Sequence, residues 1–189
     1  HYPCDRRRYT VARAALRVWL GDYLGCAPAA ITLKTGDYGR PYVARNARRV
    51  DFNVSHAGDV ALIAISRKRT IGVDIERSDR RIDHAALSRK FLSELERTAY
   101  AHIPDAHRNR ALLEWWTAKE AVAKTLGTGL RAPFPQIEVE FKNGVPHLLN
   151  VPGMPRETWT LHRLAVGRSH IAMLAICLQR VSPRCARPA

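Results

Sequence analysis

The chain has 189 residues, with 31 Lys+Arg against 17 Asp+Glu and a formal net charge of +14. Apolar residues make up 46% of it, enough for a sizeable core, which excludes a disordered basic tail. No apolar run approaches the ~18 residues of a membrane span, and His1–Arg8 (HYPCDRRR) lacks a signal-peptide apolar stretch, so fibrous, transmembrane and freshly secreted classes drop out.

Val11, Ala15, Leu16, Trp19, Leu20 and Tyr23 predict a helix over Thr10–Leu24, ended by Gly25 with Pro28 beyond. Arg13 and Arg17 lie one turn apart on it. A short strand is predicted at Ile31–Leu33, a turn at Tyr38-Gly39-Arg40-Pro41, and extended chain again at Tyr42-Val43. Asp51–Ser55 reads DFNVS. Val60–Ile65 and Thr70–Ile75 read as two strands of a hairpin across the charged turn Arg67-Lys68-Arg69. Ser78–Asp83 is a polar linker. Helices follow at His84–Phe91 and from Ser93 to about His102, where Ser93-Glu94-Leu95-Glu96 has the form of a capping box. The strongest helix spans Arg108–Leu126, with Leu112, Leu113, Trp116, Val122 and Ala123 as core candidates and Gly127 and Gly129 as its stop. Strand-like pieces close the chain at Ile137–Phe141, His147–Leu149, Trp159–Leu164 and His170–Leu178, with Asn143-Gly144 as a hairpin turn and Ser182–Ala189 as a frayed end. No repeat is present. Short strands mixed with separate helices predict an α+β fold.

The basic balance points to an anionic partner: nucleic acid, a phosphate-rich cofactor, an acidic protein or a membrane surface. A merely solvated, Arg-rich surface is an equal reading for any one arginine. Cys4, Cys26, Cys177 and Cys185 form no Cys-x-x-Cys pair and no zinc spacing, so they read as free thiols of a cytoplasmic protein, with Cys177 buried in a strand.

Three islands carry candidate chemistry. Asp74 and Glu76 stand at i and i+2 on a predicted strand and share a face. They could hold a hard cation such as Mg²⁺, or form a solvent-facing strand end paired with Arg77 and Arg80. Glu120 and Lys124 are i,i+4 neighbours, either a surface pair or a core-edge pair placed by Trp116 one turn earlier. Ser55-His56 is a poor arrangement for a nucleophile and its base, and His56 alone more often serves structure. No nucleophile elbow, P-loop or dinucleotide fingerprint is present.

Taken in order, Phe52-Asn53-Val54-Ser55-His56, Ile71-Gly72-Val73-Asp74-Ile75-Glu76 and Trp116-Thr117-Ala118-Lys119-Glu120-Ala121-Val122-Ala123-Lys124 resemble the signature of 4′-phosphopantetheinyl transferases. The third motif resembles the broad-specificity, surfactin-type branch. The resemblance implies a monomer of two similar α+β halves, 1–68 and 69–189, related by a pseudo-twofold with coenzyme A between them. It implies metal ligands Asp74, Glu76 and Glu120 for Mg²⁺ or Mn²⁺, and a phosphate contact from Lys124. Ser55 and His56 become a phosphate-binding pair, and Arg13 and Arg40 grip the nucleotide end. The family usually has Lys in the Gly-x-Pro turn where this chain has Arg40.

The implied reaction moves phosphopantetheine from coenzyme A to a serine of an apo acyl or peptidyl carrier protein and releases adenosine 3′,5′-bisphosphate. Glu120 serves as base, directly or through a water, and Lys124 stabilises phosphate charge. Lys119 points about 100° away from Glu120 and ranks below Lys124, and Trp116 reads as a packing residue. Arg131–Pro135 extends the surface offered to an acidic carrier. The competing readings are a basic nucleic-acid-binding module, drawing on Arg6-Arg7-Arg8 and Arg48-Arg49, and a homologue that binds without turnover. The reading adopted has no nucleic-acid or membrane partner, because carboxylates beside a phosphate backbone are unfavourable without a metal.

Overall fold

The computed structural model describes residues 3–44 and 48–179, with side chains from residue 10 onward. The side chains of Cys4 and Arg6–Arg8, and the whole of Ser182–Ala189 with Cys185, lie outside the described residues. Helix α1 (Pro3–Leu24) is followed by strands β1 (Leu33–Thr35), β2 (Pro41–Val43), β3 (Val50–Ala57), β4 (Val60–Arg67) and β5 (Thr70–Arg77). Helices α2 (His84–Phe91), α3 (Glu94–Ala101) and α4 (Asp105–Leu126) come next. Strands β6 (Glu138–Lys142), β7 (Val145–Asn150), β8 (Trp159–Leu164) and β9 (His170–Cys177) complete an α+β fold. Among the described residues no helix is long and apolar enough to cross a membrane.

Two apolar cores form. The first gathers Leu16, Leu20, Ile31, Val43, Val50 and Phe52; the second gathers α2–α4 and the last four strands around Leu112, Leu113, Trp115, Val122 and Met173. Among the described side chains of α1, the Leu16/Leu20/Leu24 stripe packs into the first core. Val11, Trp19 and Tyr23, expected on that face, are exposed. In α4 the buried indole is Trp115, not Trp116, and its Nε1 donates to the Val139 carbonyl at 2.9 Å. Trp116 is half-buried.

The expected hairpin of β4 with β5 does not form. Strand β4 pairs antiparallel with β3, and β5 pairs antiparallel with β9, which also carries β8. The turn at Lys68 (φ 68°) carries the chain from one sheet to the other. The reason lies in how β5 fills its outer edge. Asp51 Oδ2, Asn53 Oδ1 and Ser55 Oγ on β3 accept from the amides of Ile71, Val73 and Ile75 at 2.8, 2.9 and 3.3 Å. Side chains of one strand thus replace the backbone partner of the other.

The ends of the elements follow local rules. Ser93 and Glu96 form the anticipated capping box on α3. Gly127 ends α4 in the left-handed region, and Asn143-Gly144 (φ 51° and 76°) makes the two-residue turn between β6 and β7. Glu96 does more than cap. It accepts from the Val139 amide at 2.8 Å and binds Lys119, which is fully buried and also donates to the carbonyls of Phe91 (2.7 Å) and Phe134 (3.0 Å). Every donor of that ammonium is matched, which is the condition for burying it. Lys119 is therefore a structural residue that fixes α4 against α2 and α3.

Gly72 sets how closely α4 approaches β5. A Cβ there would lie 2.2 Å from the Ala121 carbonyl and 2.5 Å from the Thr125 amide. Both are backbone atoms, so α4 itself would have to move. Gly72→Ala is expected to cost at least about 2 kcal/mol, read as a lowered thermal midpoint. A wild-type midpoint would show that the helix does not rest on this strand.

Candidate active site

Residues 72, 74 and 76 share the face of β5 that α4 covers. Gly72 lies against Ala121 and Thr125, Asp74 meets Lys124, and Glu76 meets Trp116. Four strand residues advance about 13 Å and nine helical residues about 13.5 Å, so the two elements run in opposite directions and stay in step. The close contact at Gly72 is what lets carboxylates on β5 reach groups on α4.

Asp74 is 5% exposed. Its Oδ1 accepts from Lys124 Nζ at 2.7 Å and from Ser55 Oγ at 2.8 Å. Lys124 also donates to Ser55 Oγ (2.9 Å) and to the Val73 carbonyl (3.2 Å). Glu76 accepts from Trp116 Nε1 at 2.9 Å and pairs with Arg80, whose guanidinium lies over the Trp116 ring. The salt-bridged strand end weighed from the sequence is thus present at Glu76, with Arg80 as its cation. Arg77 pairs with Asp79 instead.

Glu120 is 8% exposed, and among the described residues its Oε1 has no hydrogen-bond partner; Asp74 Oδ2 is likewise buried and unpartnered among them. Burial, then the charges of Asp74 and Glu76 against the opposing Lys124, push the Glu120 carboxyl up to about 7. Burial also raises Asp74, against Lys124 and Ser55, and raises Glu76, against Arg80. Three carboxyl groups raised first by burial, two with unused buried oxygens, have the chemistry of a hard-cation site. Among the described residues, however, no three His, Cys, Asp and Glu side chains are gathered tightly enough to hold an ion as they stand. Asp74 is turned to Lys124 and Ser55, and Glu76 to Arg80 and Trp116.

The other expected residues divide. Ser55 is buried within this cluster, whereas His56 is exposed at the end of β3. Arg13 is half-buried on α1. Arg40 lies at the junction of β3, β5 and α4, where it binds Asp51 and three main-chain carbonyls. In the segment Arg131–Pro135, Ala132 and Phe134 are buried, which leaves Arg131, Pro133 and Pro135 on the surface. Cys177 is a buried free thiol as read, and Cys26 an exposed one. Sequence reasoning assigns no role to Asp51, Asn53 or Gly72, whereas it names Arg80 as a partner for the strand end. The signal for the first two was available: polar residues at 51, 53 and 55 alternate with apolar neighbours, the mark of a strand with one polar face.

A carboxyl that ionises near 4.5 in the unfolded chain and near 7 when folded binds its proton more tightly in the fold. Glu120 therefore makes stability fall as pH rises from about 4.5 to 7 and level off above, by up to about 3 kcal/mol. Glu120→Gln is expected to flatten that fall and to melt above wild type at pH 8 in chelator. Parallel pH profiles for the two proteins would remove Glu120 as the source.

The sequence was compared with known families and structures. A family model described as the 4′-phosphopantetheinyl transferase superfamily matches residues 70–175, and one described as 4′-phosphopantetheinyl transferase, N-terminal, matches residues 1–68. The 4′-phosphopantetheinyl transferase HetI of Nostoc sp. is 29% identical over 178 residues, covering 93% of this chain and 73% of its own. A Synechocystis relative is 31% identical over 136 residues, 71% of this chain, which spans about half (55%) of that relative's length. A holo-(acyl-carrier-protein) synthase from Bacillus anthracis, crystallised in complex with CoA (3′,5′-ADP), is 22% identical over 58% of this chain and 96% of its own, with a TM-score of 0.47. With more than half of its length matched by that family's model, the chain belongs to the 4′-phosphopantetheinyl transferase superfamily.

Proposed function

We propose that this chain transfers 4′-phosphopantetheine from coenzyme A to a serine hydroxyl of an apo acyl or peptidyl carrier protein, with release of adenosine 3′,5′-bisphosphate. The observation that carries this reading is the pair of unpartnered buried oxygens, Asp74 Oδ2 and Glu120 Oε1, beside Lys124 within the family-matched residues.

A serine hydroxyl is a weak nucleophile and needs a base. Glu120, held near neutrality, can take that proton directly or through one intervening water. The ammonium of Lys124 stands beside the carboxylates and stabilises charge that develops on the transferred phosphoryl oxygens. Asp74, Glu120 and, once released from Arg80, Glu76 would hold a divalent cation, Mg²⁺ or Mn²⁺. When bound, that cation supplies neutralisation and alignment for the pyrophosphate. Ser55 keeps Lys124 and Asp74 in register. His56 and Arg13 meet the anionic nucleotide end, His56 through its exposed ring and Arg13 from α1.

The broad, surfactin-type branch is the finer reading. It is supported by the Trp-x-x-Lys-Glu-Ala motif and by Trp116, whose indole holds Glu76. We place the boundary between two pseudo-symmetric halves at 68/69, in keeping with the two apolar cores. A cytoplasmic monomer is proposed with it, and the net charge of +14 suits an acidic carrier and makes association salt-sensitive.

Intact-protein mass spectrometry of an apo carrier mixed with this chain, coenzyme A and Mg²⁺ should show one added phosphopantetheinyl group, lost with chelator. No gain with fatty-acid, polyketide and nonribosomal-peptide carriers would overturn the assignment. Glu120→Gln and Lys124→Ala should each lower turnover by about 10²-fold or more. Wild-type turnover in Glu120→Gln would exclude Glu120 as base.

A further inference from the structure

We propose that Arg40 is a positioning residue, which acts by fastening the last turn of α4 to the first half of the chain, and not a contact to the nucleotide of coenzyme A. The proposal rests on the reading of Lys124 as a phosphate contact.

The guanidinium has two terminal nitrogens and four N–H groups on them. All four are engaged. Nη1 donates to the carbonyls of Lys124 and, at 2.9 Å, Thr125. Nη2 donates to Asp51 Oδ2 at 2.7 Å and to the Ile71 carbonyl at 2.8 Å. The side chain is 17% exposed. These acceptors come from three elements, β3, β5 and α4, so one planar group joins three pieces of backbone.

The acceptors on α4 belong to its last turn, where no further turn follows; the Lys124 carbonyl also accepts from the Gly127 amide at 3.2 Å. A cation there also complements the negative end of the helix dipole. Gly127, just beyond, lies beside the stem of Arg40: a Cβ at that position would sit 3.6 Å from Arg40 Cδ, an ordinary contact. The charge is answered by Asp51, which also accepts from the Ile71 amide. A phosphate could recruit Arg40 only by breaking this pair and uncapping the helix.

The consequence reaches the reacting cluster through Lys124. Arg40 holds the main chain of that residue, while Lys124 Nζ holds Asp74 and Ser55. Misplacing a phosphate contact by about 1 Å is enough to cost up to ~10²-fold in rate without loss of binding. In this chain a lysine would not reproduce the contact: its single ammonium on a flexible stem lacks the planar fork that meets four acceptors on three elements.

The test uses Arg40→Lys, Arg40→Gln and Asp51→Asn in the full chain. All three should lower the thermal midpoint by roughly 4 °C or more. All three should lower kcat about tenfold or more while KM for coenzyme A stays within about twofold. The loss in Arg40→Lys, which keeps the charge, and in Asp51→Asn, which removes a charge that would repel phosphate, separates positioning from phosphate contact. Wild-type kcat and midpoint in Arg40→Lys, with a tenfold rise in KM in Arg40→Gln, would overturn the proposal. Should the wild-type chain transfer nothing, the function fails but Arg40 is still decided. Calorimetric titration with coenzyme A then supports positioning if the melting loss comes with unchanged affinity, and overturns it if Arg40→Gln binds tenfold more weakly with an unchanged midpoint.

Discussion

The outer edge of β5 is the constraint on which the rest of the structure depends. Its inner edge is paired with β9, and an unpaired outer edge facing β3 would leave amides and carbonyls without partners. No strand fills it. Asp51, Asn53 and Ser55 supply acceptors for the amides of residues 71, 73 and 75, and Arg40 and Lys124 supply donors for the carbonyls of 71 and 73. Polar side chains pinned this way cannot slide by one residue, because a slip of one turns each of them to the opposite face. The ladder fixes the register of β5 against β3, and the same strand carries Asp74 and Glu76 on the face toward α4.

Electrostatics at the site follow from this arrangement. Strand and helix are locked close at Gly72, so Asp74 and Glu120 are buried where the two elements meet, with Glu76 half-buried against Trp116 and Arg80. Lys124 answers Asp74, Arg80 answers Glu76, and Glu120 is left with an unpartnered oxygen and a carboxyl raised toward neutrality. A cluster so frustrated costs stability, and such frustration is a mark of function. Lys119 shows the contrast one residue away. It is as buried as any group in the chain, yet its three bonds to Glu96 and two carbonyls leave nothing unsatisfied, and it belongs to the scaffold.

Much of this was legible in the sequence, and the exceptions share a cause. Helix periodicity located α1 and α4, the capping box located α3, and Asn143-Gly144 located the β6–β7 turn, because each is written in neighbouring residues. The three motifs also picked out Asp74, Glu120 and Lys124, which the fold brings together. What failed depends on partners far along the chain. Apolar alternation cannot tell that β5 pairs with β9 rather than β4, nor that Trp115 and not Trp116 is buried. Arg40 could be seen as a basic residue in a turn, but its acceptors at 71, 124 and 125 are set by tertiary structure. Gly72 looked like an ordinary strand glycine until the helix above it was known.

Native-state hydrogen exchange tests the edge ladder most directly. Side-chain acceptors on β3 should protect the amides of Ile71, Val73 and Ile75 to the same degree as the amides β5 shares with β9. Asn53→Leu should release Val73 first. If these three amides exchange in the wild-type protein as fast as an open strand edge, β3 does not hold β5 through its side chains, and the placement of Asp74 and Lys124 needs another explanation.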